Sequence, residues 1–236
     1  MINFEEALKK PFIDLSKLIL GIILSVIPIV NWIAQGFIIE TSGMGKNKPS
    51  KSMPEWKDFG DYFVKGLLSY VIMFVYALPA IIVFSAAIGY AAASLVTTFT
   101  EIMPQGFMSQ MMAGTIPKEQ AAQLFSQNWM MALPTLITVA PLIILGLVLI
   151  LAAAYLSPVA ILNYLKNKRF GKAFDINFVT KKAFTSTYFI AWFIGGIIGI
   201  VLSAILSFIP FIGPAAAFFI KGVIVYTLYG QAFREK

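Results

Sequence analysis

Some forty consecutive residues, Ala191 to Gly230, are almost wholly apolar and are broken once, at Pro210-Phe211-Ile212-Gly213-Pro214. Such a run is too long for one helical crossing of the hydrocarbon layer and right for two, since each crossing takes about 20 residues. It predicts a closing hairpin with arms at 186–209 and 214–230. The first arm carries Gly195, Gly199, Ser203 and Ser207, four residues apart. In lipid, apolar side chains gain little by leaving one another's company, so a stripe of small residues marks where a second backbone can approach for van der Waals packing. The second arm carries Lys221 near mid-depth.

The rest of the chain is of the same kind. Hydrophobic residues make up 59% and charged residues only 12%, with mean hydropathy +0.83, outside the range of soluble domains. The fold class read from this is all-α: a polytopic helical membrane protein of four full spans plus an N-terminal re-entrant hairpin. The 236 residues leave room for about five or six bilayer segments, so a single membrane domain, 1–236, is expected, with no soluble catalytic domain. The net charge of +7 would suggest nucleic acid in a soluble protein. Here the bases sit in short loops beside apolar segments, as the positive-inside bias and anionic headgroups favour. The chain has neither cysteine nor histidine, which removes thiolate nucleophiles, sulfur-rich metal sites and the commonest general base. An enzyme, a cofactor and a metal site are therefore not expected. Glu5 and Glu6 ahead of Lys9 and Lys10, with no small-residue cleavage site after the first apolar run, do not read as a cleavable signal.

In chain order, Asn3-Phe4-Glu5-Glu6 opens as a cap and acidic first turn of a short interfacial helix, interrupted at Pro11. The apolar run 15–39 contains Pro28, Asn31 and Gln35, a poor composition for one straight span. Ser52-Met53-Pro54-Glu55 has capping-box spacing with proline in the first turn, and predicts a helix start there. A span follows at 67–98, with a bend expected at Pro79 and a small-residue stripe at Ser85, Gly89 and Ala93. The segment 101–128 reads as a Met/Gln-rich outer loop with a short helix from Pro117. Residues 129–157 form the next span, with bends expected at Pro134 and Pro141. In 166–185, Lys168, Arg169, Lys172, Lys181 and Lys182 are interleaved with Phe170, Phe174, Phe178 and Phe184. That pattern beside a span marks a headgroup-level helix far more often than a nucleic-acid platform.

Counting bases gives three before Leu18, five in 40–66, one in 101–128, six in 166–185 and two after Gly230. The positive-inside rule then places every base-rich segment, and both termini, on the cytoplasmic side of a prokaryotic membrane, with only the Met/Gln loop outside. Both flanks of 15–39 lie inside, so this run enters, turns near Pro28 to Asn31 and leaves as a re-entrant pair. The match of Ile23-Leu24-Ser25-Val26-Ile27-Pro28-Ile29 to Ile205-Leu206-Ser207-Phe208-Ile209-Pro210-Phe211 suggests an internal duplication of the two hairpins. With the prolines aligned, Gly21 and Ser25 fall on Ser203 and Ser207.

Lys221 is the one charge deep in an expected span, and an intramembrane charge is by default a functional candidate. The competing reading is that it snorkels or bonds to nearby carbonyls. The proline alignment sets Glu40 opposite it as first partner, with Glu101 as second. Asn31, Gln35, Ser25 and Ser207 either line a polar cavity or, more ordinarily, join helices by hydrogen bonds. Met103, Met108, Met111 and Met112 would suit Cu(I), but without His or Cys a flexible apolar surface is the simpler reading.

The block Pro54-Glu55-Trp56-Lys57-Asp58-Phe59-Gly60-Asp61, after Ile27-Pro28-Ile29-Val30-Asn31 and before Lys168-Arg169-Phe170, resembles an uncharacterised family of archaeal and bacterial integral membrane proteins known as a domain of unknown function. The resemblance spans nearly the whole chain and implies a multi-pass prokaryotic membrane protein, often from methanogens, without supplying an activity. Two functions stay open: small-solute or ion transport, channel-like, with Lys221 near a midplane site; or a non-catalytic membrane-organising or partner-binding subunit. Partners are the lipid bilayer, with a homo-oligomer or another membrane protein as alternatives, and no nucleic acid.

Overall fold

The structure, a computed structural model, describes residues 2–45, 52–102, 106–114, 119, 123, 130 and 133–235. Among these the chain is helical, with no strand: α1 (Phe4–Lys9), α2 (Leu15–Val26), α3 (Asn31–Glu40), α4 (Phe59–Ile102), α5 (Phe107–Met112), α6 (Leu133–Asn167), α7 (Ile176–Ala183), α8 (Ser186–Leu206) and α9 (Ile212–Arg234), with 3-10 turns at Lys10–Phe12 and Phe170–Phe174. Four of the described helices, α4, α6, α8 and α9, are long and apolar enough to cross a bilayer. The polytopic all-helical class expected above is the one observed. The chain forms two compact units, Met1–Tyr76 with Ala153–Lys236, and Ala77–Ala152.

Side-chain caps set the helix starts in the first unit. Asn3 accepts from Glu6 N, Asp14 from Lys17 N, Asp175 from Phe178 N and Thr185 from Tyr188 N, each satisfying a donor the helix cannot pair itself. Pro11 ends α1 in a 3-10 turn, as expected. The helix start expected at Ser52 is overturned. Residues 52–55 are non-helical and α4 begins at Phe59. The reason is that Glu55 is taken elsewhere: its carboxylate lies 2.6 Å from Lys17 Nζ, and its carbonyl accepts from the Tyr62 hydroxyl at 2.7 Å. Asp58 caps α4 instead, accepting from Asp61 N at 3.1 Å.

The apolar run 15–39 is two helices, α2 of 12 residues and α3 of 10, joined by a turn at Ile27–Val30. Asn31 N donates to Ile27 O at 2.9 Å, and Ile29 has φ 69°. The closing hairpin turns the same way: Gly213 N donates to Ile209 O at 3.0 Å, and Phe211 has φ 62°. Positive φ is uncommon outside glycine and is an outlier for β-branched isoleucine. It falls at positions aligned by the sequence match, one residue after each proline.

The core of this unit is α3. From Ala34 to Ser42 every residue is buried, covered by α2, α4 and α9. Phe37 stacks on Trp56 with ring centroids 3.8 Å apart, and Phe219 stacks on Phe37 at 5.8 Å. Two close backbone approaches occur at glycines outside the expected stripes: a Cβ on Gly66 would be driven into the Trp32 carbonyl and one on Gly36 into that of Tyr62. Gly21, which belongs to the expected repeat of the stripe, is tightly packed as well, a Cβ there running into the Phe219 ring. Of the apolar helices, α9 is the one enclosed by protein, 67% of its span window being buried against 11% for α8. The lipid-facing character of α8 follows from its exposed Phe189, Phe193, Ile197, Val201 and Ile205.

In the second unit, residues 77–102 of α4 and 133–152 of α6 are tied by the Ser94 and Thr135 hydroxyls, 2.6 Å apart, and Gly146 faces the Phe84 ring. Pro79 lies within continuous helix. No seam at Gly89 is seen among the described residues, none of which comes within 4 Å of a Cβ built there.

These glycines predict opposite outcomes. Gly66→Val should destabilise the protein by about 1–3 kcal/mol or more through overpacking. Gly89→Ala should be neutral or stabilise by up to about 1 kcal/mol through helix propensity. Thermal unfolding in detergent, followed by circular dichroism, reads both.

Candidate functional site

Lys221 lies halfway along α9, half-buried, and lines a cavity of about 520 Å³ in the first unit. The walls come from four helices: Gln35 from α3, Met73 from α4, Gly195, Gly196, Gly199, Ile200 and Ser203 from α8, and Phe218, Gly222, Val225, Tyr226 and Tyr229 from α9. The small-residue stripe thus divides. Gly195 is buried and serves as the expected seam, because a Cβ there would stand 3.4 Å from Val225. At Gly199 and Ser203 the missing side chains leave the space beside Lys221, a Cβ at Gly199 coming only within 3.8 Å of the Lys221 stem. Ser207 is exposed, and its hydroxyl bonds back to Ala204 O at 2.7 Å.

The polar residues sort differently from the expectation. Gln35 is buried and lines the cavity wall together with Tyr226. Ser25 bonds to Gly21 O in its own helix at 2.6 Å, so neither Ser25 nor Ser207 joins two helices. Asn31 Oδ1 is buried with no hydrogen-bond partner among the described residues, and Asn31 is not part of the cavity wall. Lys221 makes no hydrogen bond or ion pair among the described residues.

Glu40 is not the partner of Lys221. Its side chain is fully buried and is ion-paired to Lys65, 11% exposed, which also reaches Asp61 at 2.7 Å. Lys65 stands six residues past the N-terminus of α4, so it projects across to the end of α3. Two further cations converge there: Lys10 Nζ donates to Thr41 O at 2.9 Å, and Arg234 to Ser42 O at 2.9 Å. Burial pushes the Lys10 ammonium down to about 8, with Glu6 opposing and Arg234 adding to the shift. A second, smaller cavity of about 150 Å³ lies beside Asp61, Lys65, Tyr164 and Lys168. Sequence reasoning missed Lys65, although Asp61 and Lys65 at i, i+4 just ahead of an apolar span were a readable pair. Tyr226 and Tyr229, hydroxyl-bearing residues inside the same span as Lys221, were the missed signal for the larger cavity.

Among the headgroup candidates, Lys168, Arg169, Lys172 and Lys181 are exposed, Lys172 pairing with Asp175 at 3.2 Å. Lys182 differs. It donates to the Glu235 carbonyl and sits 5.9 Å from the Phe233 ring centroid, and burial with the nearby Lys166 charge lowers its pKa. Tyr76 and Tyr155 donate to Ala173 O and Ala183 O at 2.7 and 2.6 Å, fixing the 166–185 segment. Glu101, Met108 and Met111 have side chains outside the described residues, as does all of Met103, while Met112 is 86% exposed. Lys46, Lys48, Lys51 and Pro117 also lie outside them.

Four described helices long and apolar enough to cross a bilayer, with a lysine-lined cavity in the first unit, define a polytopic membrane protein. Residues 19–211 match the family described as Protein of unknown function (DUF4013), and the chain belongs to that family. The match covers the α8 and α3 walls of the cavity and stops before α9, so Lys221 lies beyond the matched residues. No curated protein and no solved structure matches the chain.

Breaking the buried pair at α3 from one side leaves an uncompensated charge in the core. Lys65→Met is expected to cost about 3–5 kcal/mol, and adding Glu40→Gln in the same chain should restore a large part of it. Detergent-solubilised unfolding of the two single variants and the double variant measures the coupling.

Proposed function

We propose that this protein moves a small solute or ion through the membrane, channel-like or by alternating access, with the Lys221 cavity as its site. The observation that carries the reading is an ammonium without a protein counter-charge among the described residues, facing a 520 Å³ space between helices. Charges within spans are costly in lipid and are placed on substrate or ion pathways. The two hairpins support it further. Arms of 12 and 10 residues rise about 18 and 15 Å, too short to cross, so α2–α3 is read as re-entrant. The shared turn geometry supports a duplicated pair set around the site. No catalytic role and no cofactor belong to this reading.

A second reading, a non-catalytic membrane-organising or partner-binding subunit, draws on the 166–185 segment. There Lys168, Arg169, Lys172 and Lys181 are exposed, as is Phe184 at 77%, a composition suited to anionic headgroups.

Lys221 separates the two. In proteoliposomes, Lys221→Leu should lower anion uptake or membrane current about tenfold or more, the effect of roughly 1.4 kcal/mol, while circular dichroism stays unchanged. Full activity in a folded variant would remove the transport reading. The topology is tested on Lys9→Cys, Ser109→Cys and Lys172→Cys, each the only thiol in its chain. A membrane-impermeant maleimide added to intact cells should reach Ser109→Cys alone; reaction at Lys9→Cys would make 15–39 a single full span.

A further inference from the structure

We propose that the Lys221 cavity binds a monoanionic amphiphile, with a carboxylate or phosphate head on the Lys221 ammonium and an alkyl tail along the glycine face of α8. The inference rests on the reading of this cavity as a ligand site and specifies what enters it.

Charge sets the head. Among the described residues the cavity wall contains one cationic side chain and no carboxylate; the other polar groups there are the neutral Gln35, Ser203, Tyr226 and Tyr229. In a low-dielectric site a neutral guest leaves the ammonium without a counter-charge, a cation is repelled, and a dianion carries an uncompensated charge of its own. A single negative charge is the complement. Glu40 is not available for the task, being held by Lys65.

Shape and exposure set the tail. At about 520 Å³ the space far exceeds what one inorganic ion fills and lies within the range of organic ligand pockets. Beyond Lys221 the walls are apolar, with Met73, Ile200, Phe218 and Val225. Gly195, Gly196 and Gly199 present helix backbone in place of side chains, which leaves room for an extended alkyl chain. Ile200, on the rim, is 72% exposed, and its neighbours Ile197 and Val201 are exposed too. The surroundings of the mouth are therefore apolar, so an amphiphile arriving through the hydrocarbon layer keeps its tail in apolar surroundings, whereas a hydrated inorganic anion would have to shed its water there.

The experiment uses the full chain in phosphatidylcholine nanodiscs with three photoreactive probes: a diazirine fatty acid, a diazirine phosphatidylglycerol, and a diazirine alkyl-trimethylammonium. Crosslinks are mapped by mass spectrometry. The anionic probes should label peptides containing Gly195–Ser203 and Phe218–Tyr229, and the alkylammonium should not. Lys221→Met should lower that labelling about tenfold or more, as loss of one member of a desolvated charge pair does, and Lys221→Arg should keep it. Gly199→Leu, which fills the cavity and leaves the charge, should lower it too. Preference for the fatty acid or for the phosphatidylglycerol identifies the source of the head; either agrees with the proposal. Equal labelling by the cationic probe, or unchanged labelling in folded Lys221→Met, overturns it. Charge-dependent labelling with no flux of any solute would keep the ligand assignment and end the transport reading. Lys221-dependent flux with charge-independent labelling would do the reverse.

Discussion

The structure depends on how the C-terminal end of α3 is satisfied. A helix leaves its last carbonyls unpaired and carries partial negative charge there, and α3 ends in a fully buried Glu40. In a membrane protein that end would be untenable alone. Three cations from three directions meet it: Lys65 on the carboxylate, Lys10 on the Thr41 carbonyl and Arg234 on the Ser42 carbonyl. Each belongs to a different segment, so one electrostatic requirement fixes α1, α4 and α9 around α3. The aromatic stack of Phe37, Trp56 and Phe219 then fills the adjoining layer. Because a buried ion pair gains little over an apolar equivalent, its consequence here is orientation more than stability: only one arrangement of the four segments neutralises this end.

Much of the architecture was legible because it rests on local rules. Run lengths placed α8 and α9, Asn3 and Pro11 bounded α1, and the proline match located two turns that prove to share a backbone path at Ile29 and Phe211. What was not legible depends on tertiary competition for the same groups. Ser52 to Glu55 fits a capping box, yet Lys17 and Tyr62 hold Glu55 and Asp58 caps the helix. Regular small-residue spacing pointed to Gly195 and Gly21, where helices do pack closely, but also to Gly89 and Gly199, while the close backbone approaches at Gly36 and Gly66 belong to no stripe. A periodic stripe shows that a face is smooth; it does not say whether a helix or a void lies against it. Lys221 and Gln35 were singled out from their cost in lipid and lie on one cavity wall, but the pairing of Glu40 with Lys65 could not be read, since an alignment of prolines carries no information about α4.

The two cavities have contrasting chemistry. Beside Lys65 the ammonium already has two carboxylates, and the small space there reads as packing around a structural network. Beside Lys221 the ammonium has none, and glycines keep the volume open. In the second unit, residues 77–152, the Ser94 and Thr135 hydroxyls meet and Gly146 lies against the Phe84 ring, with Ala80, Ala87 and Val139 buried.

The pairing of Arg234 with Ser42 joins positions 192 apart in sequence, and this bears on how the protein is made. A chain threaded into the membrane from its N-terminus inserts α3 early and receives Lys65 soon after, 25 residues on. The last cation, and the helix that encloses the core, follow only after the remaining spans, Arg234 pairing back to Ser42 across 192 positions. Long-range contacts of this kind form late and slowly. Biogenesis therefore passes through a stage in which the earlier spans are inserted but α3 still has open carbonyls, and the docking of α9 is the step that locks the bundle.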